Sequence, residues 1–564
     1  MKTLKNIISS LLFTIAATSI FGCKKYIEET NLGGQTEDTY FVTKGGFEEL
    51  VKSNYSNLRY IVSNINIFTL GTDTYTSLGT SDLSPLNIYN ASLNSFIGDV
   101  DNFWKQLYYS IGTTNTTLFW ATKAQGMDAT TLNVRIGESK ALRAYYYYLL
   151  VETFGDVPLV LARSTTANVS FTRMPEKDVY AQVISDLMEA IATLPTATTD
   201  FGRVTKGFAQ HLLAKIYLTR GYKAYASSTD FAQAATLAED LINSRIYTLK
   251  SPYLTLFDPT ATNFQVNSEV IFSVQYSTNI ATNHVYFLGK PMSNPVVGNN
   301  LQQNFLWDFT ILTPIGRSPL YGKPLNVVPT PYFFSLFDKT RDSRYSATVW
   351  NTLMAQVPGT VSGRNFSVGD TVVYYPDATF TQAEKDKKKY FVFNANEYRS
   401  SPFSNSNRTF PLCKKFREVN LPFVDNGGAR DTYVFRLGET YLMAAEANLK
   451  AGNTDKALKL YNVIRSRAAK PGANPKTGKS YATEMQASNL SIDDILDERA
   501  RELAGEEFRW FELKRTGKLI IRTLAHNEEA ATAHNLTEHF LLRPIPQSQI
   551  DLNSGASFPQ NPGY

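Results

Sequence analysis

The sequence predicts an all-α fold of stacked helical hairpins, with one large irregular region let into it. Two observations carry this prediction. Two blocks of the chain space their apolar residues three and four apart, which is the helical period. Between them lie about 180 residues rich in Asn, Ser, Thr, Pro, Gly and aromatics that lack the period. Composition sets the outer limits. The chain has 564 residues, 43% hydrophobic and 19% charged, ample for a large core. Its 32 Tyr, 35 Phe and 5 Trp exclude a disordered chain. A net charge of +5 without a long basic run gives no footprint of nucleic-acid binding. Two cysteines exclude a disulfide framework, and five scattered histidines argue against a zinc or iron cluster.

Lys2 and Lys5 lead an uncharged run of 14 residues, Ile7 to Ile20. A spanning helix needs about 20 residues, so the run fits the apolar part of a secretory signal. It ends in "SIFGC", with Gly22 directly before Cys23, which resembles a bacterial lipobox. Residues 1–22 are therefore expected to be a lipoprotein signal peptide. Cys23 is the expected lipidation site, and residues 23–43 the lipidated N-terminus and tether. No later stretch is long and apolar enough to span a bilayer, so the expected anchor is lipid alone.

Residues 44–249 form the first helical block. "FEELVKSNYSNLRYIV", "DNFWKQLYYSIGTTNTTLFWATKA" and "NVRIGESKALRAYYYYLLVETFG" open it. "EKDVYAQVISDLMEAIATLP", "RVTKGFAQHLLAKIYLTRGY" and "DFAQAATLAEDLINS" follow. Asp230 is expected as an N-cap, and Gly126, Gly155 and Gly221 as helix-end signals. Tyr145 to Tyr148 cover more than one helical turn, so they face every direction. They predict a helix buried on most sides rather than a stacking platform.

Residues 250–430 form the loop-rich insertion, expected to bind ligand. "SEVIFSVQYS" and "DTVVYYPD" have strand character. The rest reads as long ordered loops, which usually carry function. Residues 431–564 return to helix. "ETYLMAAEANLKAGNTDKALKLYNVIRSRA" reads as a hairpin turning at Gly452 and Asn453. Its alanines permit close packing, and it resembles a tetratricopeptide unit. "HLLAKIYLTRGYKAYASSTDFAQAATLAEDLI" resembles a second unit with a longer turn. Such hairpins stack into an extended scaffold. "ERARELAGEEFRWFELKRTGKL" reads as one charged amphipathic helix, followed by an extended, Pro-punctuated C-terminus.

Motifs of catalysis are weak. Glu498 and Glu502 lie four apart on one helical face, but Arg499, Arg501, Arg509 and Arg515 crowd them, which points to ion pairing. "KTGKS", Lys476 to Ser480, lacks the spacing and the leading strand of a phosphate loop. His211 lies on an apolar face, as a satisfied core histidine does. No "HExxH", "GxSxG" or "CxxC" occurs. No enzyme is expected.

Four segments in this order resemble the SusD/RagB family of nutrient-binding outer-membrane lipoproteins. They are the lipoprotein start, "GESKALRAYYYYLLVETFGDVPLV", "RLGETYLMAAEANLKAG" with "ALKLYNVIRSRA", and "ERARELAGEEFRWFELKRTG" with "LLRPIPQSQI" and "QNPGY". The resemblance implies a SusD-like α/α superhelix of tetratricopeptide-like hairpins supporting an irregular, ligand-binding half. It implies a non-catalytic protein, lipid-anchored in the outer membrane and facing outward. Such a protein captures oligosaccharides and delivers them to a SusC-like TonB-dependent transporter. Some relatives bind peptides, so peptide or glycopeptide import is the alternative.

A glycan site needs flat aromatic walls and fixed polar groups for hydroxyls. Two regions offer both. Gly71 to Asn90 carries Asp73, Tyr75, Asp82 and Tyr89, and the family resemblance implies a ligand role for this loop. The insertion carries Tyr286, Trp307, Asp308, Tyr321, Tyr332 and Trp350. Of these, Trp307, Tyr321 and Trp350 lie between Gly, Pro and Asn turns rather than in periodic helices. The expected ligand set is Asp73, Tyr75, Tyr89, Trp307, Tyr321 and Trp350. No cofactor is expected. Structural calcium stays open, because the loops are rich in Asp and Asn but lack "DxDxDG" spacing.

Overall fold

The computed structural model describes residues 35–77, 84–260, 266–292, 298–307, 309–322, 325, 327–398, 409–419, 421, 427–506, 508–555 and 557–564. The expected signal peptide, residues 1–22, and Cys23, Asp82 and Asp308 lie outside the described residues. Short helical turns are named below by their residues.

The described part of the first block is mainly helical. Helix α1 (Lys44–Ser56) starts where the Thr43 hydroxyl accepts the Gly46 N–H, and it buries Phe47, Leu50 and Val51. Helix α2 (Leu58–Ser63) follows. The long pair α3 (Gly98–Ala121) and α4 (Ala129–Phe154) turns between them at Gly126, φ +75°. Asp128 caps α4 by accepting the Thr131 N–H at 2.9 Å. Tyr145 to Tyr148 on α4 are each at most 2% exposed. Tyr146 donates to the Asn54 carbonyl at 2.7 Å, and Tyr147 to that of Val160 at 2.9 Å. These rings are core, as their all-round placement requires. Gly155, at φ +73°, ends α4.

Helices α5 (Glu176–Thr193), α6 (Lys206–Arg220) and α7 (Asp230–Asn243) complete the block. Thr229, not Asp230, holds the N-cap of α7. Asp230 opens the helix itself, because its carboxylate is taken by Arg220 Nε at 3.0 Å and by the Ser227 N–H at 2.9 Å. In the second block, α8 (Leu437–Lys450) and α9 (Thr454–Ala468) form a hairpin around Gly452, φ +86°. Ala214, Ala234, Ala238, Ala444 and Ala447 form one cluster where α6, α7 and α8 meet. Small side chains let these helices approach closely.

The expected long C-terminal helix is two helices. Helix α10 (Ile492–Glu502) stops, and α11 (Arg509–Arg515) restarts after a turn. Gly505 lies between them at φ +72°, where a Cβ would come within 2.7 Å of Phe416 and 2.9 Å of Phe305. Close packing and the left-handed backbone both demand glycine. Helices α12 (Leu519–His526) and α13 (Gln547–Leu552) end the helical series.

The strands are short and occur in small sheets. Strand β1 (Tyr75–Ser77) lies early, β2 (Val270–Val274) opens the insertion, and β3 (Tyr286–Phe287) and β4 (Lys290–Pro291) form a hairpin. Strand β5 (Val327–Pro329) pairs antiparallel with β1. Strand β6 (Thr432–Arg436) pairs antiparallel with β2, Thr432 opposite Val274. The β2–β6 pair thus closes the insertion at its base. The insertion holds a hydrophobic cluster distinct from the main one, with Trp307, Phe309, Tyr321, Phe333, Leu353, Val373 and Phe410.

Buried ion pairs tie the insertion to the scaffold. Arg344 Nη1 reaches Glu498 at 2.7 Å and Glu502 at 3.1 Å. Arg436 Nη1 reaches Glu502 at 2.6 Å and Glu269 at 2.8 Å. The two glutamates spaced four apart are therefore held by arginines from distant segments. His211 is fully buried, with Nδ1 at 2.9 Å from the Thr440 hydroxyl and Nε2 at 3.1 Å from Glu439. Lys476 to Ser480 form an exposed turn closed by Asn474 N–H to the Lys479 carbonyl, 2.9 Å.

Candidate ligand-binding site

The loop after α2 is fastened from both ends of the chain. Gly71 adopts φ +70°, and a Cβ there would lie 2.3 Å from the Leu86 carbonyl oxygen. The Asn87 side chain accepts the Gly71 N–H at 3.0 Å and donates to Thr76 Oγ1 at 3.0 Å. Asn527 donates to the Asn87 amide oxygen at 3.1 Å. Tyr89 donates to the Gly71 carbonyl at 2.5 Å. Asp73 is buried between Arg509 Nη2 and Arg522 Nε, each at 2.8 Å. Burial pushes its carboxyl up, but the two guanidiniums outweigh burial and hold it below its ordinary value.

This fastened base continues into a turn, Asn90 to Ile97, that leads into α3. The Asn90 side chain accepts the Ser92 N–H at 3.0 Å, and the Asn94 side chain accepts the Phe96 N–H at 3.0 Å. Such side-chain turns fix backbone direction locally. The Gln547 N–H, from the start of α13, donates to the Ser95 carbonyl at 2.9 Å. Leu93 is 2% exposed and anchors the turn inward. Phe96 points outward at 78% exposure, the highest of any large apolar side chain among the described residues. Asp99 and Asp101 follow in the first turn of α3, where the helix dipole favours anions. Asp101 accepts from Ser548 Oγ at 2.6 Å. Asp101 also pairs with Lys105 at 2.5 Å, so the turn, held by these side-chain bonds, presents one bare aromatic face. Such an apolar plane matches the C–H face of a sugar ring.

A groove of about 600 Å³ lies between α1–α2, the Asp200–Arg203 turn, the edge of β2 and the approach to β3. Tyr55, Phe201 and Tyr286 line it, with Lys52, Arg59 and Gln275. Tyr60 of α2 packs against Phe287 of β3 with the rings tilted, centroids 5.0 Å apart. Leu288 N–H donates to Gln106 at 2.8 Å, which holds the β3–β4 hairpin against α3.

The residues expected from sequence fall mostly elsewhere. Asp73 is a buried ion-pair partner. Tyr75 is 3% exposed, packed against Phe305 and Phe333. Tyr89 is fully buried against Phe540. Trp307 is fully buried beside Phe309, and Tyr321 is 1% exposed, its hydroxyl accepting the Met354 N–H at 2.9 Å. These five present no surface to a ligand in this structure, which corrects their expected role. Asp73 is drawn inward by Arg509 and Arg522, and Tyr75 and Tyr89 join the main core against Phe305 and Phe540. For Trp307 and Tyr321 the physical reason is the insertion's size. So long a segment needs its own core, and its aromatics supply it. Trp350 differs: it is half-buried, edge-on to Tyr321 at 5.3 Å, on a strand paired with Leu412. Tyr286 lines the groove, while Tyr332 stacks on His526 at 3.6 Å and donates to Asp497.

Phe96 and Arg59 were missed by sequence reasoning. Phe96 carried a signal, since an aromatic stands there between two Asn/Ser turns and a helix start. Arg59 carried none, because its partners are contributed by residues more than 200 positions away. Among the described residues, no cluster of His, Cys, Asp or Glu is arranged to hold a metal. No helix among them is long and apolar enough to cross a membrane.

A fold of this kind, with helical hairpins carrying a closed irregular insertion, defines a class, and comparison assigns it. The model of the SusD family matches residues 329–564, and the model described as "Starch-binding associating with outer membrane" matches residues 35–218. The chain belongs to the SusD/RagB family. It is 26% identical to "SusD-like protein P2" of Formosa agariphila, over 98% of this chain and 99% of that one. It is 24% identical to "Starch-binding protein SusD" of Bacteroides thetaiotaomicron, over 79% and 76%. Among solved structures, a "Laminarin binding SusD-like protein" superposes with TM-score 0.63 at 22% identity, covering 93% of this chain and 100% of that one. A SusD homolog from Bacteroides thetaiotaomicron superposes with TM-score 0.68 at 19% identity, covering 95% and 99%.

Proposed function

We propose that this chain is a non-catalytic glycan-binding protein, lipid-anchored through Cys23 on the outer face of the outer membrane. It captures oligosaccharides and delivers them to a SusC-like TonB-dependent transporter. The observation that carries this reading is Phe96, a bare aromatic face held on a locked turn. Leaving a phenylalanine in water forgoes about 1.5–3 kcal/mol of burial. A turn so fully bonded, with its neighbour Leu93 buried, spends that exposure on something other than folding. Stacking on sugar C–H faces uses such a plane. The names of relatives that bind starch and laminarin support the same class of ligand. Trp350 is the second platform we assign, because its ring is only half covered. One platform binds weakly against the entropy of a flexible chain. Many copies on one membrane restore strength by avidity.

A second reading, peptide or glycopeptide import, is favoured by one feature: the charged rim of the groove, with Lys52, Glu49, Arg59, Asp200 and Arg203. Native-gel retardation separates the two. The purified chain is run through gels holding starch, laminarin and other polysaccharides, with Phe96→Ala alongside. Retardation by at least one glycan, lost in the variant, is the expected result. Absence of retardation by every glycan, with binding to a peptide digest instead, contradicts the glycan reading.

A further inference from the structure

Arg59 stands apart from the other cations of the groove. Lys52 pairs with Glu49 at 2.9 Å, and Arg203 with Asp200 at 2.7 Å and Glu138 at 2.9 Å. Arg59 instead spends its donors on neutral carbonyls. Its Nε donates to Gln275 at 2.8 Å, and its Nη1 to Thr282 at 2.7 Å and His284 at 3.0 Å. The guanidinium lies over the Tyr276 ring, 5.1 Å from its centroid. Among the described residues, no carboxylate stands within ion-pair distance of it. Asp431 acts on it only from further off, with its own carboxylate accepting the Tyr276 N–H at 3.0 Å.

A guanidinium has five N–H donors in a fixed plane. Three are used here, which leaves both N–H groups of Nη2 without a protein acceptor, in a half-buried side chain that lines the groove. The three carbonyls and the ring fix the plane, so the free edge is aimed before any ligand arrives. Partial burial strengthens an ionic hydrogen bond relative to water. Tyr286 and Phe201 flank the same space with apolar faces, and its volume is in the range of small-molecule sites.

We propose that this groove is a subsite for an acidic sugar, with Arg59 Nη2 holding the oxyanion, carboxylate or sulfate ester, of a saccharide whose ring lies against Tyr286. The assignment rests on the glycan reading and adds a charge preference that Phe96 does not supply. It makes the protein select anionic over neutral glycans at a place separate from the exposed platform.

The test is calorimetric titration of the purified chain with trigalacturonate, a sulfated galactotriose and neutral galactotriose. Arg59→Gln removes the charge. Because Arg59 also pins three carbonyls, thermal melting of the variant is measured beside it. Ala281→Glu is the second variant. Ala281 is exposed on the groove wall, so the added carboxylate opposes an anion without touching the Arg59 bonds. The expected result is at least tenfold tighter binding of one acidic trisaccharide than of the neutral one. That advantage is lost in both variants, falls with salt, and survives in Phe96→Ala. Which acidic trisaccharide wins identifies the oxyanion. Equal binding of acidic and neutral trisaccharides, or an advantage kept in Ala281→Glu, overturns the assignment while leaving glycan capture at Phe96 intact. Arg59-dependent binding of an acidic peptide but of neither acidic saccharide overturns it as well.

Discussion

Phe96 and Asp73 mark two opposite uses of a side chain in neighbouring turns. Phe96 contributes almost nothing to the core, so its removal leaves stability nearly unchanged. Phe96→Ala is expected to shift the melting temperature by no more than a degree or two, measured by calorimetry, since exposed substitutions stay within about 0.5 kcal/mol. Asp73 is the reverse. It is a buried carboxylate between two guanidiniums, and it gives no surface to a ligand. Asp73→Ala leaves Arg509 and Arg522 without their shared anion. Loss of one partner in a buried pair costs about 3–5 kcal/mol. Urea unfolding is expected to show a loss of that order, and a change under 1 kcal/mol would contradict the structural role. In sequence Asp73 reads as a ligand because it is a polar group beside tyrosines in a loop to which the family resemblance assigns that role. Its arginines come from α11 and α12, more than 400 residues later, and no local pattern announces them.

At the scale of elements, helices were legible and their interruptions were not. The three-to-four spacing placed α3, α4, α6, α7, α8 and α9 because the period is local and the caps are local. The stop at Gly505 was invisible. "ERARELAGEEFRWF" keeps a helical pattern through the glycine, and its left-handed backbone and the distant rings of Phe305 and Phe416, which together exclude a side chain there, leave no mark in the local pattern. Gly505→Ala is therefore expected to destabilise the chain by about 1–3 kcal/mol, from the left-handed backbone and the clash together. Thermal unfolding of the variant measures it. The insertion was legible as ordered but not as a core. Its short strands pair across the segment, as in Trp350 with Leu412, so periodicity within any one strand is too brief to show which face is buried. Trp307 and Tyr321 lie in irregular and turn segments with no periodicity at all, so they read as platforms and prove to be filling.

Across the whole molecule, buried carboxylates join the insertion, the hairpins and the C-terminal helices. Glu502 is pushed up by burial, but Arg467, Arg436 and Arg344 outweigh this and bring its carboxyl down to about 2. Glu512 is brought to about 2 in the same way by Arg499, Arg515 and Lys215. A carboxyl whose folded value lies below its unfolded one adds stability above the unfolded value, near 4.3. That stability drains as pH falls toward the folded value. Each such group adds on the order of 2–3 kcal/mol at neutral pH. The urea midpoint is expected to hold from about pH 7 to 5 and to fall steeply between about pH 4 and 2. A flat profile over that range would mean the network does not carry the assembly.

Glycan capture on the Phe96 turn is decided by titrating the native chain and Phe96→Ala calorimetrically with the glycan that retards the native protein, with both folds checked by melting. Phe96→Ala is expected to melt with the native protein and to bind at least tenfold more weakly. Equal affinity of the two proteins for that glycan would contradict capture there.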